Sequence, residues 1–442
     1  MTTLMIVESP SKAKKIGQML GRDYRVVASV GHVRDLPPKS MGVAPPDFRP
    51  EYEPTDSGKK ALSKLRKEMK GCDKILLATD PDREGESIAW HLKEALRLPE
   101  KKIARVTYNS VTESAVKDAI KNAGKINMRL VAAQEARRVL DRLVGYTLSF
   151  PLSDAIGDRA SAGRVQTPTL IILAERDRAI KNFKPTKHFT ATLTTESGFD
   201  ADWITKPYVT EDKPYVLDRS LAEKAASARS IIVDEYAQKK VARKPPAPFT
   251  TSVMQQAASS TLSMSSKDCM NAAQKLFENG LITYHRTDST HLEPDAVKAI
   301  REVLKEKGLP IPDKPPTHKS KAGAQEAHEA IRPTDPTNSN PTGSLGSNER
   351  RLYDLIHKHT LASQMANKIE RVTTIKAHAE IDGQRFDYQA KATEVLEKGY
   401  TALTGRGKDD EPVVTLPKIE KGEAIAVGEG RVIDVPGRHA RP

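Results

Sequence analysis

Cysteine is scarce. The 442 residues hold two, Cys72 and Cys269, far apart and in no CxxC pair. That excludes a disulfide framework and a multi-cysteine zinc site, and it fits a reducing compartment. Long apolar runs are missing as well, since none approaches the ~18 residues of a membrane span. The opening stretch from Met1 to Glu8 has no charged leader and no long apolar segment, so no secretory signal is expected. Phosphate-cradling glycine loops are also missing. There is no GxxxxGK[ST], and Ser57-Gly58-Lys59-Lys60 lacks both the upstream glycine and a preceding strand. No GxGxxG opens a helix, so an ATP-driven motor is not expected. No internal repeat is found.

What remains is a large chain with several modest cores. Apolar residues make up 38% and charged residues 29%, which excludes a coiled-coil fibre, a collagen and a wholly disordered chain. The length suits about three domains of ~150 residues. The net charge of +13 suits a polyanionic partner, nucleic acid first, although ordinary solubility charge explains it equally well.

The N-terminal part alternates strand, loop and helix. Leu4-Met5-Ile6-Val7 and Lys74-Ile75-Leu76-Leu77-Ala78 are short buried strands, Ile103 to Tyr108 is a third, and helices are expected over 12–20, 61–69 and 86–96. This order predicts a parallel sheet covered by helices. A long helix is expected from Asn127 to about Leu148, with Arg137, Arg138, Asp141 and Arg142 between its apolar positions. Residues 187–205, 230–242 and 370–435 alternate in the β manner. Residues 252–278 and 349–365 are helical, and 310–346 form a long loop holding seven prolines. Two β stretches around a helical block predict helices inserted into a β domain.

Two clusters carry chemistry. Asp80-Pro-Asp82-Arg-Glu84 follows a buried strand. In extended chain, residues i, i+2 and i+4 share a side, and three carboxylates together call for a hard cation such as Mg²⁺. Glu8 ends another strand, and parallel strands share the edge at which ligands bind. The alternative is an acidic turn that caps the next helix. The second cluster is Gly280-Leu-Ile-Thr-Tyr284-His-Arg286-Thr-Asp288. A phenol with a pKa near 10 is a poor nucleophile; a cation such as Arg286 would lower that pKa and stabilise charge on a phosphate. A tyrosine beside an arginine is otherwise an ordinary structural pair. His328 is a candidate proton donor or phosphate ligand, or simply a surface histidine.

These clusters stand in a recognisable order. Ile6-Val7-Glu8-Ser-Pro-Ser-Lys12, Gly31-His32-Val-Arg-Asp-Leu-Pro and Asp80-Pro-Asp82-Arg-Glu84-Gly-Glu resemble a Toprim domain. Ser161-Ala-Gly-Arg164-Val-Gln166, the Tyr284 segment and Gln325-Glu-Ala-His328-Glu-Ala-Ile-Arg332-Pro resemble the body of a type IA DNA topoisomerase of the bacterial branch. The resemblance implies a multidomain α/β + α + β fold. Its parts would be a Rossmann-like Toprim domain at 1–125, a helical single-strand-binding segment at 126–185, a β arch at 186–248 and 370–435, and an inserted helical domain with the tyrosine at 249–369.

It also implies a reaction. Tyr284 would attack one DNA strand and leave a 5′-phosphotyrosine, with Arg286 stabilising charge and His328 assisting. Glu8 or Lys12 would serve the leaving 3′ oxygen. Glu8, Asp80, Asp82 and Glu84 would hold Mg²⁺, with neither zinc nor ATP required. His32, Arg138, Asp141, Arg142, Tyr146, Arg164, Gln166, Asp288 and Arg332 would contact DNA; the other use for the helix arginines is pairing with Asp141 and Glu135. The product would be relaxed negatively supercoiled DNA, made by a monomer in a bacterial-type cytoplasm, on nucleoid or plasmid, without a membrane. The family's second return to the 126–185 segment is not found, and the chain stops at 436–442, a truncated tail. Apolar surface over 146–185 is therefore expected. Strand cleavage and rejoining without efficient relaxation, and non-catalytic binding of single strands, are the alternatives.

Overall fold

The computed structural model describes residues 2–318, 329–342, 345–405 and 415–436. They fall into two compact units. The first holds the described residues within 1–170, 247–307 and 317–363, the second those within 171–246, 308–316 and 364–442.

The first unit contains the expected parallel sheet. Its strands lie in the order Tyr24–Ala28, Thr2–Val7, Cys72–Leu77, Ile103–Arg105, every pairing parallel. Alternation along the first strand decides which core each residue joins. Leu4 and Ile6 pack with Leu62, Leu65, Ile88 and Leu92 from the helices Asp56–Glu68 and Arg83–Leu96. Met5 and Val7 join Ile16, Phe249, Leu276, Phe277 and Ile282 in the other core. That second core fastens the sheet to the tyrosine-bearing helices, so both faces of the strand are buried, as a parallel sheet requires.

Two elements are longer or more broken than their patterns indicate. The long helix runs from Met128 to Ile156, through Pro151, and stops where Gly157 takes φ +68°. The 252–278 block is two helices, Thr251–Leu262 and Ser266–Glu278. Ser263 at φ +53° ends the first, and the Ser265 hydroxyl caps the second by accepting the Asp268 N–H. Serine favours such caps over helix interiors because its hydroxyl competes for backbone donors. The edge strand expected over Ile103–Tyr108 is shorter, spanning only Ile103–Arg105.

The second unit is a closed antiparallel barrel of six strands, in the order Lys368–Ile381, Gln384–Glu397, Asp200–Trp203, Lys187–Thr195, Ala424–Pro436, Ser230–Arg243. Strands from before and after the helical block therefore share one barrel, with Ile375 opposite Tyr236 and Ala377 opposite Val233. Asp382 and Gly383, at φ +51° and +73°, turn the 368–397 hairpin, with Ile381 opposite Gln384. Two positive φ values in a two-residue loop match the right-handed twist of the strands. Leu193, Trp203, Ile231, Val233, Ile375, Phe386 and Tyr388 fill this core.

Candidate active site

The segments that follow three strands, Thr2–Val7, Cys72–Leu77 and Ile103–Arg105, converge at the C-terminal edge of the parallel sheet. Glu8 follows the first strand. Ser9 then caps the helix Pro10–Leu20, whose first turns carry Lys12. The strand Cys72–Leu77 leads into Asp80-Pro81-Asp82. Asp82 is the cap of the helix Arg83–Leu96, its Oδ1 accepting the Gly85 N–H at 2.8 Å. A Cβ on Gly85 would lie 2.2 Å from the Asp80 carbonyl oxygen, so the close approach of helix and turn demands glycine there. Opposite them, the Tyr284 N–H donates to the Asn109 carbonyl at 2.7 Å.

The polar contacts are specific. The Tyr284 hydroxyl donates to Asp82 Oδ2 at 2.6 Å. The Asp80 N–H donates to Glu8 Oε1 at 2.9 Å. Lys12, 1% exposed, pairs with Asp80 and lies 4.7 Å from the centre of the Phe277 ring. Glu84 behaves differently. The helix has already begun at Arg83, so extended-chain spacing no longer applies, and Glu84 turns outward to His32 Nε2 at 2.9 Å. The expected gathering of Asp80, Asp82 and Glu84 on one side therefore stops at Asp82.

Burial sets the electrostatics. Glu8 is pushed up to about 7, first by burial, then by repulsion from Asp80, with Lys12 opposing. Burial also raises Asp80, against the pull of Lys12 and Arg286. Tyr284 is raised far above the ordinary phenol by burial, then by Asp80 and Asp82, and Arg286 only partly offsets this. The expected lowering of the phenol pKa by its neighbouring arginine is thus outweighed: two carboxylates and a dry site exceed one exposed guanidinium. His285, 1% exposed, is pushed down to about 3 by burial, Arg286 and Lys12. It stays neutral, and its Nδ1 has no hydrogen-bond partner among the described residues.

The carboxylates fit a hard cation in donor type. Glu8 and Asp80 repel each other in a site that already holds Lys12 between sheet and turn, a deficit that a divalent ion would relieve. Among the described residues, no three His, Cys, Asp or Glu side chains converge closely enough to hold an ion as they stand. Lys12 engages Asp80, Tyr284 engages Asp82, and His32 engages Glu84.

A second group of expected residues lies along the long helix. A cavity of about 600 Å³ is lined by Asp35, Arg138, Asp141, Tyr146, Phe150 and Ser161, among others. Arg138 makes a two-pronged pair with Asp35, both contacts 2.8 Å. Asp141 accepts from Arg164 Nε at 2.8 Å. Arg142, 7% exposed, donates to the carbonyls of Leu36, Pro37 and Ser40, and its guanidinium lies 4.7 Å from the Tyr146 ring centre. Of the alternative partners expected for these arginines, Asp141 pairs with Arg164 and, at 3.7 Å, with Arg137, whereas Arg138 turns to Asp35. Arg286, Asp288 and Gln166 are exposed. Arg332 is held by Glu329 at 2.5 and 2.9 Å. His328 lies outside the described residues. Asp35, Asn109 and His285 carry no signal of their own in the sequence, although Asp35 and His285 sit inside the Gly31–Pro37 and Gly280–Asp288 motifs.

The sequence profile described as DNA topoisomerase matches residues 125–434, and the Toprim domain profile matches residues 3–111. A protein named "DNA topoisomerase I, plasmid" from Xylella fastidiosa strain 9a5c is 42% identical over 446 residues, covering 98% of this chain and 67% of its own. DNA topoisomerase 1 of Campylobacter jejuni is 37% identical, over 96% of this chain and 62% of its own. For the Synechocystis enzyme of the same name the values are 39%, 100% and 54%. The chain therefore spans between 54% and 67% of the length of these relatives. Full-length topoisomerase I from Thermotoga maritima superposes with a TM-score of 0.85 at 32% identity, covering 99% of this chain and 73% of that one.

Proposed function

The chain belongs to the type IA DNA topoisomerases, and on that premise we propose that it cleaves and rejoins one DNA strand through Tyr284. The carrying observation is the 2.6 Å hydrogen bond from Tyr284 to Asp82, made beside Glu8, Lys12 and Asp80. The phenol is buried and raised, so it needs an acceptor in place at the moment of attack. Asp82 Oδ2 occupies that position. Tyr284 Oη attacks the phosphorus, its proton passes to Asp82, and the bond to the 3′ oxygen breaks. The 3′ oxygen takes a proton from Glu8, whose protonated form is favoured by burial and by repulsion from Asp80. A 5′-phosphotyrosine and a free 3′ hydroxyl result. The reverse transfer rejoins the strand, and bond energy is conserved, so no nucleotide is consumed. Arg286, exposed and within electrostatic reach of Tyr284, Asp80 and Glu84, supplies positive charge for the phosphate.

Toprim domains in general bind magnesium. In this chain Glu8, Asp80 and Asp82 would hold the ion, which when bound supplies positive charge that positions the cut ends. The strand upstream of the cut would lie along the long helix, with a base in the cavity beside Arg138, Asp141 and Tyr146. Binding to a polyanion through such residues weakens as salt rises, because the release of condensed counterions on binding becomes less favourable.

Relaxation of negatively supercoiled DNA by a monomer is the full function proposed. Cleavage and rejoining without efficient strand passage is the narrower alternative. The exposure of Phe150 at 66%, Val165 at 61% and Leu170 at 64% favours it, since these side chains call for a covering partner. No described helix is long and apolar enough to cross a membrane.

Single-stranded oligonucleotides labelled at either end, incubated with the protein and run on denaturing gels, test the proposal. A protein adduct carrying only the 3′-side fragment is expected, and plasmid relaxation then separates the full function from the narrower one. No adduct and no cut product would overturn the catalytic proposal in favour of a single-strand binder.

A further inference from the structure

Arg105 ends the short edge strand of the parallel sheet and lies outside every motif of the sequence. It is 4% exposed. Its guanidinium reaches under the acidic turn. Nη2 donates to the Asp80 carbonyl at 2.8 Å, and Nη1 to those of Thr79 at 2.9 Å, Leu77 at 3.1 Å and Val106 at 2.7 Å. Nε donates to Glu86 Oε2 at 2.8 Å. Glu86, 4% exposed, sits on the first turn of the helix capped by Asp82. Its Oε1 accepts the N–H of Asn127, which caps the long helix.

A buried ion pair is poor evidence of stability, because desolvation of both charges offsets their attraction. What this pair does have is geometry. The carbonyls of Leu77, Thr79 and Asp80 stand where the strand gives way to the turn, and one planar guanidinium satisfies all three. Those three carbonyls fix the path of the backbone from which Asp80 and Asp82 project. The same pair, through Asn127, joins that turn to the N-cap of the helix that bears Arg138 and Arg142.

We infer that Arg105, braced by Glu86, is a positioning residue of the cleavage and rejoining centre. It holds the Leu77–Asp80 backbone so that Asp82 meets Tyr284 and Asp80 meets Lys12, and it ties this turn to the start of the long helix. The inference rests on the function proposed above. Misplacement of reacting groups by about 1 Å costs up to two orders of magnitude in rate, so the brace acts on rate more than on binding.

The test uses the full chain with Arg105→Lys and with Glu86→Gln, the near-isosteric variant that decides the matter if the first does not fold. Four quantities are read below the melting temperature: adduct formation in EDTA, rejoining after Mg²⁺ is added, oligonucleotide affinity, and Mn²⁺ affinity of the DNA-free protein by electron paramagnetic resonance. Adduct formation and rejoining should each slow by about tenfold or more. Mn²⁺ affinity should fall, and oligonucleotide affinity should stay within about twofold. A residue that merely stabilises the fold would lower the melting temperature and leave rates and Mn²⁺ affinity at the parent values; that result in a folded variant overturns the inference. If the parent itself forms no adduct, the proposed function fails separately. The Mn²⁺ titration then decides alone: a fall in either variant supports the brace, and parent affinity in both overturns it.

Discussion

Asp82 holds the Tyr284 hydroxyl at 2.6 Å with one carboxylate oxygen and caps its own helix with the other, which accepts the Gly85 N–H at 2.8 Å. The cap removes the freedom of the carboxylate, so the acceptor is in place before the DNA arrives. Asp82→Asn keeps an oxygen for the cap, and asparagine is as good a cap as aspartate. It removes the group that can take a proton. Adduct formation is expected to fall by about 10²-fold or more, with little change in melting temperature. An adduct rate equal to the parent's would remove Asp82 from the proton transfer.

Glu8 gives a pH dependence with a definite sign. Its folded pKa is raised from 4.5 to about 7, so between those values the folded state keeps a proton that the unfolded state releases. The stability this contributes is present in full below about pH 4.5 and is lost as pH rises through about 7. Glu8→Gln cannot titrate. In metal-free buffer the variant should gain melting temperature relative to the parent between about pH 5 and pH 8. Calorimetry at several pH values checks this, and a constant difference would show that the carboxyl is not buried and strained as the structure has it.

The sequence exposes some of this and hides the rest for physical reasons. Leu4 to Val7 and Ile75 to Leu77 are near-continuous apolar runs because the sheet is covered on both faces, and that pattern is legible. So is the convergence of Glu8 with Asp80 and Asp82, because parallel strands share an edge. Glu84 escapes that pattern, because it lies inside the first turn of a helix, where the spacing rule for extended chain lapses. The direction of the Tyr284 shift depends on burial and on carboxylates some 200 residues away in the chain, so Arg286 next to it was a misleading guide. Arg105 carries no local signal, since all its partners are backbone carbonyls and Glu86.

Arg138 and Arg142 separate into two kinds of variant. Arg142 serves three carbonyls of the 36–40 loop and is almost wholly buried. Its loss leaves buried acceptors unpaired, at about 1–3 kcal/mol, so Arg142→Ala should lower the melting temperature measurably. Arg138 is part-exposed at the cavity and pairs with Asp35 in a partly solvated setting, where an ion pair contributes ~1 kcal/mol or less. Arg138→Ala should melt near the parent and bind a single-stranded oligonucleotide more weakly, with a shallower salt dependence. Thermal melts beside fluorescence anisotropy at several salt concentrations decide it. Equal effects of both variants on both quantities would contradict the division.

Phe150 tests the exposed apolar surface. It is 66% exposed, and its ring meets Tyr146 edge-on with centres 6.1 Å apart. A buried phenylalanine replaced by a polar residue would cost ~3 kcal/mol or more; an exposed one has little such burial to lose. Phe150→Ser should therefore leave the melting temperature within a degree or two, yet reduce binding of a hydrophobic dye and raise the concentration at which the protein self-associates. If the melting temperature instead falls sharply, Phe150 is covered in solution, either by this chain or by a second copy. Analytical ultracentrifugation of the parent would then distinguish the two, because only a second copy makes the covering depend on concentration.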